Sequence, residues 1–527
     1  MRIAALDLGS NSFHLLVVET RPDGSFLPLV REKEMLRLGD VVAREGRLTE
    51  EAIAAAIVTV DRFAKIARVQ QAEEILAMGT AALREASNGA EAVDRIEAAT
   101  GVAVKVVGGL REAELIFEAV RASVVIDPAP ALCADLGGGS LELSVGDRAG
   151  LVFATSLHLG VGRLTAELVH SDPPTGKDRA RLRHRIEETL TSPLAEIATH
   201  SPRSLIGTSG TFVALARAAV ALRDGPSPAS LNQLSVTAEE LGNLAERVYR
   251  STSAERTRLS GIDAKRAELL PAGMAVTEIL MEQSGMSDLT ISEWAMREGI
   301  VISAIRSHDR AELAGDSGGI RRASVLSLCR RSRWREAHAR QVARVATELF
   351  DATVGLHGLE ASDRELLELA ALLHDIGELV SRDSHGRHSA YLIENGGLRG
   401  FAPAEIQILS CLGRYHVRGR PRDSFPAYAA LEPRDQERVL RLLALLRIAD
   451  GLDAAHGSAV GHVGVELSGS GVEVIVTARG EAELERWLLQ RKKTLFEELF
   501  EVPVTLEVVP IEREPFALGE VANPSPS

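Results

Sequence analysis

Cysteine is scarce in this chain. Cys133, Cys329 and Cys411 are the only three in 527 residues, widely spread and forming no Cys-x-x-Cys pair. That excludes a disulfide scaffold and a cysteine-based structural zinc site, and fits a reducing, cytoplasmic compartment. Long apolar runs are missing too, which excludes a membrane-spanning helix. The apolar N-terminus is interrupted by Asp7, Asn11 and His14, so it is too polar for a signal peptide. Basic charge is not in excess: the net charge is −14, which excludes general attraction to nucleic acid. Neither a Gly-x-Gly-x-x-Gly nor a Walker A sequence occurs. Aromatics are few, and the rest of the composition is that of an ordinary globular protein long enough for roughly three or four domains.

The chain does contain a phrase written twice. Residues 3–19 read IAALDLGSNSFHLLVVE and residues 131–147 read ALCADLGGGSLELSVGD. Each is an apolar run, then Asp-Leu-Gly, small polar residues and a second apolar run, which predicts strand, tight turn, strand. Asp7 and Asp135 stand a domain's length apart, so the repeat predicts a duplicated lobe. Glycines in such turns let backbone N–H groups approach an anion, and hydroxyl side chains add donors. Two such turns facing one another would grip a chain of phosphates from both sides.

Residues 1–125 alternate strands and helices. Ile53, Ile57, Val60, Phe63 and Ala67 recur at helical spacing behind Thr49, a good N-cap. A second lobe spans 126–307, with Pro-rich loops at 173–174 and 225–228. Residues 314–319 read AGDSGG, a flexible linker by composition. Residues 320–455 are helical in period, with Leu366, Leu369, Leu372 and Leu373 forming an apolar stripe. Strand patterns return in 456–518, around one amphipathic helix at 482–500, and 519–527 read as a disordered tail. Two basic runs, Lys177 to Arg185 and Arg321 to Arg340, read as solvated helix faces.

Strand alternation places Glu142 opposite Leu141 and Leu143, and Asp135 ends the preceding strand. Two carboxylates beside a phosphate-binding turn suit Mg²⁺, a hard cation that bridges to phosphate. Arg84 lies one helical turn beyond Gly79-Thr80, suited to phosphate oxygens. The sequence Gly207-Thr208-Ser209-Gly210-Thr211 opens a helix and offers a further anion site. Glu112 follows Gly108-Gly109 in the first turn of a helix, where the dipole favours its ionised form as a general base.

The segments DLGSNSFHLLV, GTAALREA, GGLREAELIF, DLGGGSLEL, GTSGT and SEWAMREG resemble, in this order, the exopolyphosphatase / guanosine pentaphosphate phosphohydrolase (Ppx/GppA) family, in its long form. The resemblance implies an α/β fold of duplicated actin/hexokinase-like (ribonuclease H-like) lobes, then an all-α HD-like domain and a small α/β domain. It also implies a homodimer and Mg²⁺-dependent hydrolysis of a terminal phosphoanhydride, of inorganic polyphosphate or of guanosine pentaphosphate. By position, Glu112 matches the base that activates water, and Asp135 and Glu142 the metal-associated carboxylates. Asn11, Ser12, Arg84, Gly138, Gly139, Ser140, Ser209, Gly210 and Thr211 fall in phosphate-contacting loops. Three positions depart from the common pattern: Arg111 stands where many members have a second glutamate, Leu141 where many have threonine, and Gly108 where serine is common. In the helical part, Leu372-Leu373-His374-Asp375-Ile376-Gly377 resembles the core of HD phosphohydrolases. That resemblance implies a second divalent metal site from His338, His374, Asp375, His388, His416 and Asp450. Alternatives of other classes are a sugar- or acetate-type kinase, an alarmone-binding sensor signalling through the HD-like domain, and a protein whose working enzyme is that domain.

Overall fold

The computed structural model describes residues 1–21, 24–126, 128–223, 228–308, 319–453, 460–468, 471–478 and 483–510. Most of the expected linker, three of the four residues of the second Pro-rich loop, the first four residues of the small C-terminal segment and the whole expected tail lie outside them. The chain divides into two compact units, Met1–Ala323 with Arg399–Pro403, and Ser324–Leu398 with Ala404–Ser527.

The first unit is built on two sheets. The first contains β1 (Arg2–Leu8), β2 (Ser12–Thr20), β3 (Phe26–Met35), β4 (Glu74–Gly79) and β5 (Val104–Val106), in the order β3-β2-β1-β4-β5. The second contains β6 (Ala131–Leu136), β7 (Leu141–Gly146), β8 (Leu151–Leu157), β9 (Ser204–Thr208), β10 (Ser235–Thr237) and β11 (Asp288–Ile291), in the order β10-β11-β9-β6-β7-β8. In each sheet the first three strands form an antiparallel meander, and two more join parallel on its other side. The repeated phrase is therefore the β1–β2 hairpin of one sheet and the β6–β7 hairpin of the other. β10 is an added edge strand, antiparallel to β11.

Helices cover both sheets. Helix Glu50–Val69 starts where Thr49 Oγ1 accepts a hydrogen bond from the Ala52 N–H, and buries Ile53, Val60, Phe63 and Ala67 against the first sheet. Helix Gly109–Arg121 turns Leu115, Ile116, Phe117 and Val120 into a core shared with β1, β2, β6 and helix Met296–His308. β6 and β7 are buried along their whole length, so Glu142 faces the interior on its side of the sheet as the leucines do on theirs.

The two repeated turns touch. A Cβ at Gly138 would stand 2.6 Å from the Cβ of Asn11, and one at Gly139 would stand 2.8 Å from Ser10 Oγ. Only glycine permits this approach.

The second unit is helical, with Glu336–Ala352, Ala361–Leu373, His385–Asn395 and Pro433–Gly451 around a leucine-rich core. It also carries a three-stranded sheet of β12 (Val460–Ser468), β13 (Gly471–Ala478) and β14 (Val504–Pro510). The single helix expected at 482–500 is two, Glu483–Lys492 and Thr494–Phe500. They part at Lys493, whose ammonium donates to Val504 O at 2.7 Å. Among the described residues, no helix is long and apolar enough to cross a membrane.

Two glycines should respond oppositely to substitution. Gly138→Val forces the turns apart and should lower stability by about 1–3 kcal/mol. Gly242 sits inside helix Ala238–Arg250 with nothing within 4 Å of an added Cβ, so Gly242→Ala should raise stability by about 1 kcal/mol. Thermal unfolding of both variants checks the pair.

Candidate functional site

A cavity of about 450 Å³ opens where the two turns meet. Asn11, Ser12, Glu112, Asp135, Gly138, Gly139, Ser140, Glu142, Ser209, Gly210 and Thr211 all line it, as the sequence leads one to expect. Asp135 and Glu142 are opposed in register across β6 and β7. Ser156 donates to Glu142 Oε1 at 2.7 Å, and Ser209 donates to Leu136 O at 2.9 Å.

Asp7 occupies in β1 the place that Asp135 holds in β6, and it lines the same cavity. Four carboxylates are thus crowded out of water. Burial, helped by Glu298 and Glu142 and opposed by Arg297, pushes Asp7 up to about 7. Burial and then Glu142 lift Glu112 well above the carboxylate range, although Arg84 pulls the other way. Asp135 is raised by burial, Glu142 and Asp7. Glu142 is raised by burial against the hydrogen bonds of Ser140 and Ser156. Burial and the Glu142 charge oppose the ionisation of Glu112 that the helix start favours. These are hard oxygen donors gathered in one place, a set that fits a divalent metal of the Mg²⁺ type.

Positive charge enters from elsewhere. Arg31, Lys33, Arg266 and Arg297 line the same cavity. Burial, then Arg266, lowers Lys33, and burial lowers Arg266. Arg297 donates to His14 Nδ1 at 3.1 Å, so the ring proton sits on Nε2 and is donated to Ser12 Oγ at 2.7 Å. Burial, then Arg297, pulls His14 down to about 3, which keeps it neutral. The Ser12 hydroxyl proton is left free for a ligand.

In the second unit, four histidines point Nε2 at two aspartates. Nε2 of His338 and His374 are 3.2 Å apart, at 3.6 and 3.4 Å from Asp375 Oδ2. Asp450 Oδ1 lies 3.8 and 3.9 Å from the same two nitrogens. On the other side, Nε2 of His385 and His416 are 3.0 Å apart, at 3.1 and 3.2 Å from Asp375 Oδ1. Every Nδ1 donates to an oxygen: His338 to Asp453 at 2.8 Å, His374 to Ala371 O at 2.7 Å, His385 to Arg382 O at 3.0 Å and His416 to Gly413 O at 2.9 Å. Such outer contacts fix the tautomer that offers Nε2 as a ligand. Burial opposes a charge on His374, but Asp375 and Asp450 outweigh it and raise the ring to about 9.

Residues 17–308 match the Ppx/GppA phosphatase family, and residues 320–476 match Ppx/GppA phosphatase, domain III. The chain belongs to the Ppx/GppA phosphatase family. Exopolyphosphatase 1 of Mycobacterium tuberculosis is 36% identical over 308 residues, which are 58% of this chain and 89% of that protein. Exopolyphosphatase 1 of Mycobacterium leprae is 35% identical over 308 residues, covering 58% and 90%. Among solved structures, an exopolyphosphatase from Cytophaga hutchinsonii superposes with a TM-score of 0.56 at 29% identity, over 58% of this chain and 98% of that one. The Aquifex aeolicus family member gives 0.51 at 26% identity, over 59% and 99%. The duplicated sheets are thus the paired actin-like lobes of the Ppx/GppA fold.

Set against the family motifs, two expectations need correction. Arg84 does not line the cavity: it donates to Val107 O at 2.8 Å and to Glu112 Oε2 at 3.2 Å. Its place is behind Glu112. His388 does not join the histidine cluster; His385 does. The start of helix His385–Asn395 is pinned to the His374–Gly377 turn by Ser389, which donates to His374 O at 2.6 Å and accepts from Gly377 N–H at 2.9 Å. That brings position 385 to Asp375 and leaves position 388 three residues further along. Sequence reasoning also missed Asp7, His14, Arg31, Lys33, Arg266 and Arg297. Asp7 was signalled by the repeat and Arg297 by the SEWAMREG motif, whereas Arg266 carried no signal.

A carboxyl raised from 3.8 to about 7 holds its proton more firmly in the folded chain than in the unfolded one. Its contribution to stability is complete below the unfolded value and is lost as pH rises toward the folded one. Thermal unfolding of metal-free protein should therefore show falling stability across that interval, and Asp7→Asn should flatten the slope. Added Mg²⁺ should raise the midpoint more at about pH 8 than at about pH 5.

Proposed function

We propose that this chain is an exopolyphosphatase that releases terminal orthophosphate from inorganic polyphosphate in the cleft between its duplicated lobes. The observation that carries the reading is one cavity, where two glycine turns meet, lined both by Asp7, Glu112, Asp135 and Glu142 and by Arg31, Lys33, Arg266 and Arg297. Polyphosphate presents a run of anionic oxygens. Lys33, Arg266 and the Ser209–Thr211 helix start would hold its chain, and Asn11, Ser12 and the Gly138–Ser140 backbone its terminal group. Asp135 and Glu142, with Asp7, would hold Mg²⁺, which neutralises phosphate charge and offsets the crowding of the acids. Glu112 takes a proton from water as the water oxygen attacks the terminal phosphorus in line. The bridging P–O bond breaks, and its electron pair leaves with the shortened chain. A cation held by Asp135 and Glu142 would favour the ionised Glu112 that a base requires, against the burial and the Glu142 charge that raise it. Arg84 orients Glu112 and limits the upward shift.

The same chemistry would serve guanosine pentaphosphate. No aromatic residue is among those lining the cavity, so a stacking platform for guanine is missing among the described residues, and this favours polyphosphate. The intact acid set counts against an alarmone sensor. The reading includes the lobe division at 125/126, an HD-like helical domain, a small α/β domain and a homodimer. It also includes a cytoplasmic location, which the free, buried thiols of Cys133, Cys329 and Cys411 support.

The HD-like domain is read as holding divalent metal. His338, His374, Asp450 and Asp375 Oδ2 would form one position, and Asp375 Oδ1, His385 and His416 a second. Among the described residues, the tight groups of three or more ligand atoms are both in this domain.

Phosphate release with Mg²⁺ should be faster from long-chain polyphosphate than from guanosine pentaphosphate, and Glu112→Gln should lower turnover by about three orders of magnitude with KM little changed. Preference for the nucleotide would change the substrate and keep the base; near-normal turnover in Glu112→Gln would remove Glu112 from the reaction. Separately, elemental analysis should find metal in the wild type that Asp375→Asn loses, with Glu112-dependent phosphate release retained.

A further inference from the structure

The histidine–aspartate cluster forms part of the wall of a second cavity, of about 600 Å³, wholly within the helical unit. Arg382, Arg387, Arg414, Arg418, Arg491 and Lys492 line it, and Asp383 is the one acid among the lining residues. One lining residue, His385, belongs to the cluster, and a second, Lys492, contacts it. His385 Nε2 lies 3.1 Å from Asp375 Oδ1, and the Lys492 ammonium is paired with Asp450 Oδ2.

Four of the six cations, Arg387, Arg414, Arg418 and Arg491, form no ion pair among the described residues, whereas Lys492 is paired with Asp450. Arg414 lies over the rings of Phe425 and Tyr415, and Arg491 over Trp487. Arg382 stands 3.9 Å from Glu378 at the limit of an ion pair. Arg387 and Arg418 are exposed and form no ion pair with a carboxylate among the described residues. The four arginines without a carboxylate partner repel each other until an anion enters. Planar guanidinium forks match phosphate oxygens two at a time. The cavity has room for far more than orthophosphate, and Tyr415, Val417 and Leu488 give it an apolar wall.

We propose that this cavity binds an organic phosphate of nucleotide size, its phosphate held by Arg387 and Arg418 on the side of His385 and the metal cluster and its organic part on Tyr415 and Leu488. It is a second anion site, separate from the polyphosphate cleft. The phosphate's direction rests on the metal reading given above; the pocket itself does not. Helix Glu483–Lys492, part of the small α/β segment, supplies Leu488, Arg491 and Lys492, so that segment completes the site.

The test is calorimetric titration of the full-length, Mn²⁺-loaded protein with ADP as probe. Arg387→Glu/Arg418→Glu should weaken ADP binding at least about tenfold. Metal content and polyphosphate hydrolysis should stay at wild-type levels, which also reports intact folding. The milder Arg387→Ala/Arg418→Ala pair should weaken binding in the same direction, and Glu112→Gln should leave it unchanged. Absence of ADP binding by the wild type, equal binding by the charge-reversed pair, or loss of binding in Lys33→Ala/Arg266→Ala would overturn the proposal. Wild-type protein that holds no metal, yet binds ADP through Arg387 and Arg418, would sink the metal reading and leave the pocket standing.

Discussion

The approach of two backbone turns governs the first unit. Gly138 faces Asn11 and Gly139 faces Ser10 with no room for a side chain between them. Because each turn joins the first two strands of its sheet, this contact fixes the sheets to one another at the point where their repeated aspartates emerge. Asp7 and Asp135 then face one cavity, and the hydroxyls and N–H groups of both turns surround it. A larger residue at either glycine would separate the donors that a polyanion must meet together.

The electrostatics follow from that geometry. Carboxylates brought together away from water resist ionisation, and Asp7, Glu112, Asp135 and Glu142 are all raised. Such a site is unstable alone and well matched to a divalent cation and a phosphate chain. Basic groups from β3, from the segment around Arg266 and from helix Met296–His308 line the same cavity and balance it. His14 is kept neutral by burial first and then by those neighbours, so it serves as a hydrogen-bond relay between Arg297 and Ser12 and carries no charge.

The helical unit solves a related problem with a different ligand set. Each imidazole there is oriented by an oxygen on its far nitrogen, and the near nitrogens converge on the two oxygens of Asp375. Such a set of converging donors has the chemistry to hold a divalent cation.

The sequence by itself determined the duplication, the hairpins that carry it, Glu112 and the two carboxylates of the second turn, and the His374-Asp375 pair. Each is a local pattern, written in residues close together along the chain. Only the tertiary structure decided the rest. Asp7 becomes part of the acid set because its sheet meets its twin, and Arg31, Lys33, Arg266 and Arg297 converge from segments far apart in sequence. His385 replaces His388 because Ser389 pins the helix start to one turn, a choice that helical periodicity cannot make. Arg84 donates to Glu112 and to the carbonyl of Val107, partners 28 and 23 residues away that no local pattern announces. The protonation of Glu112 also depends on the fold: the helix start favours its charge, but burial and Glu142 oppose that preference, and burial is a property of the packed chain.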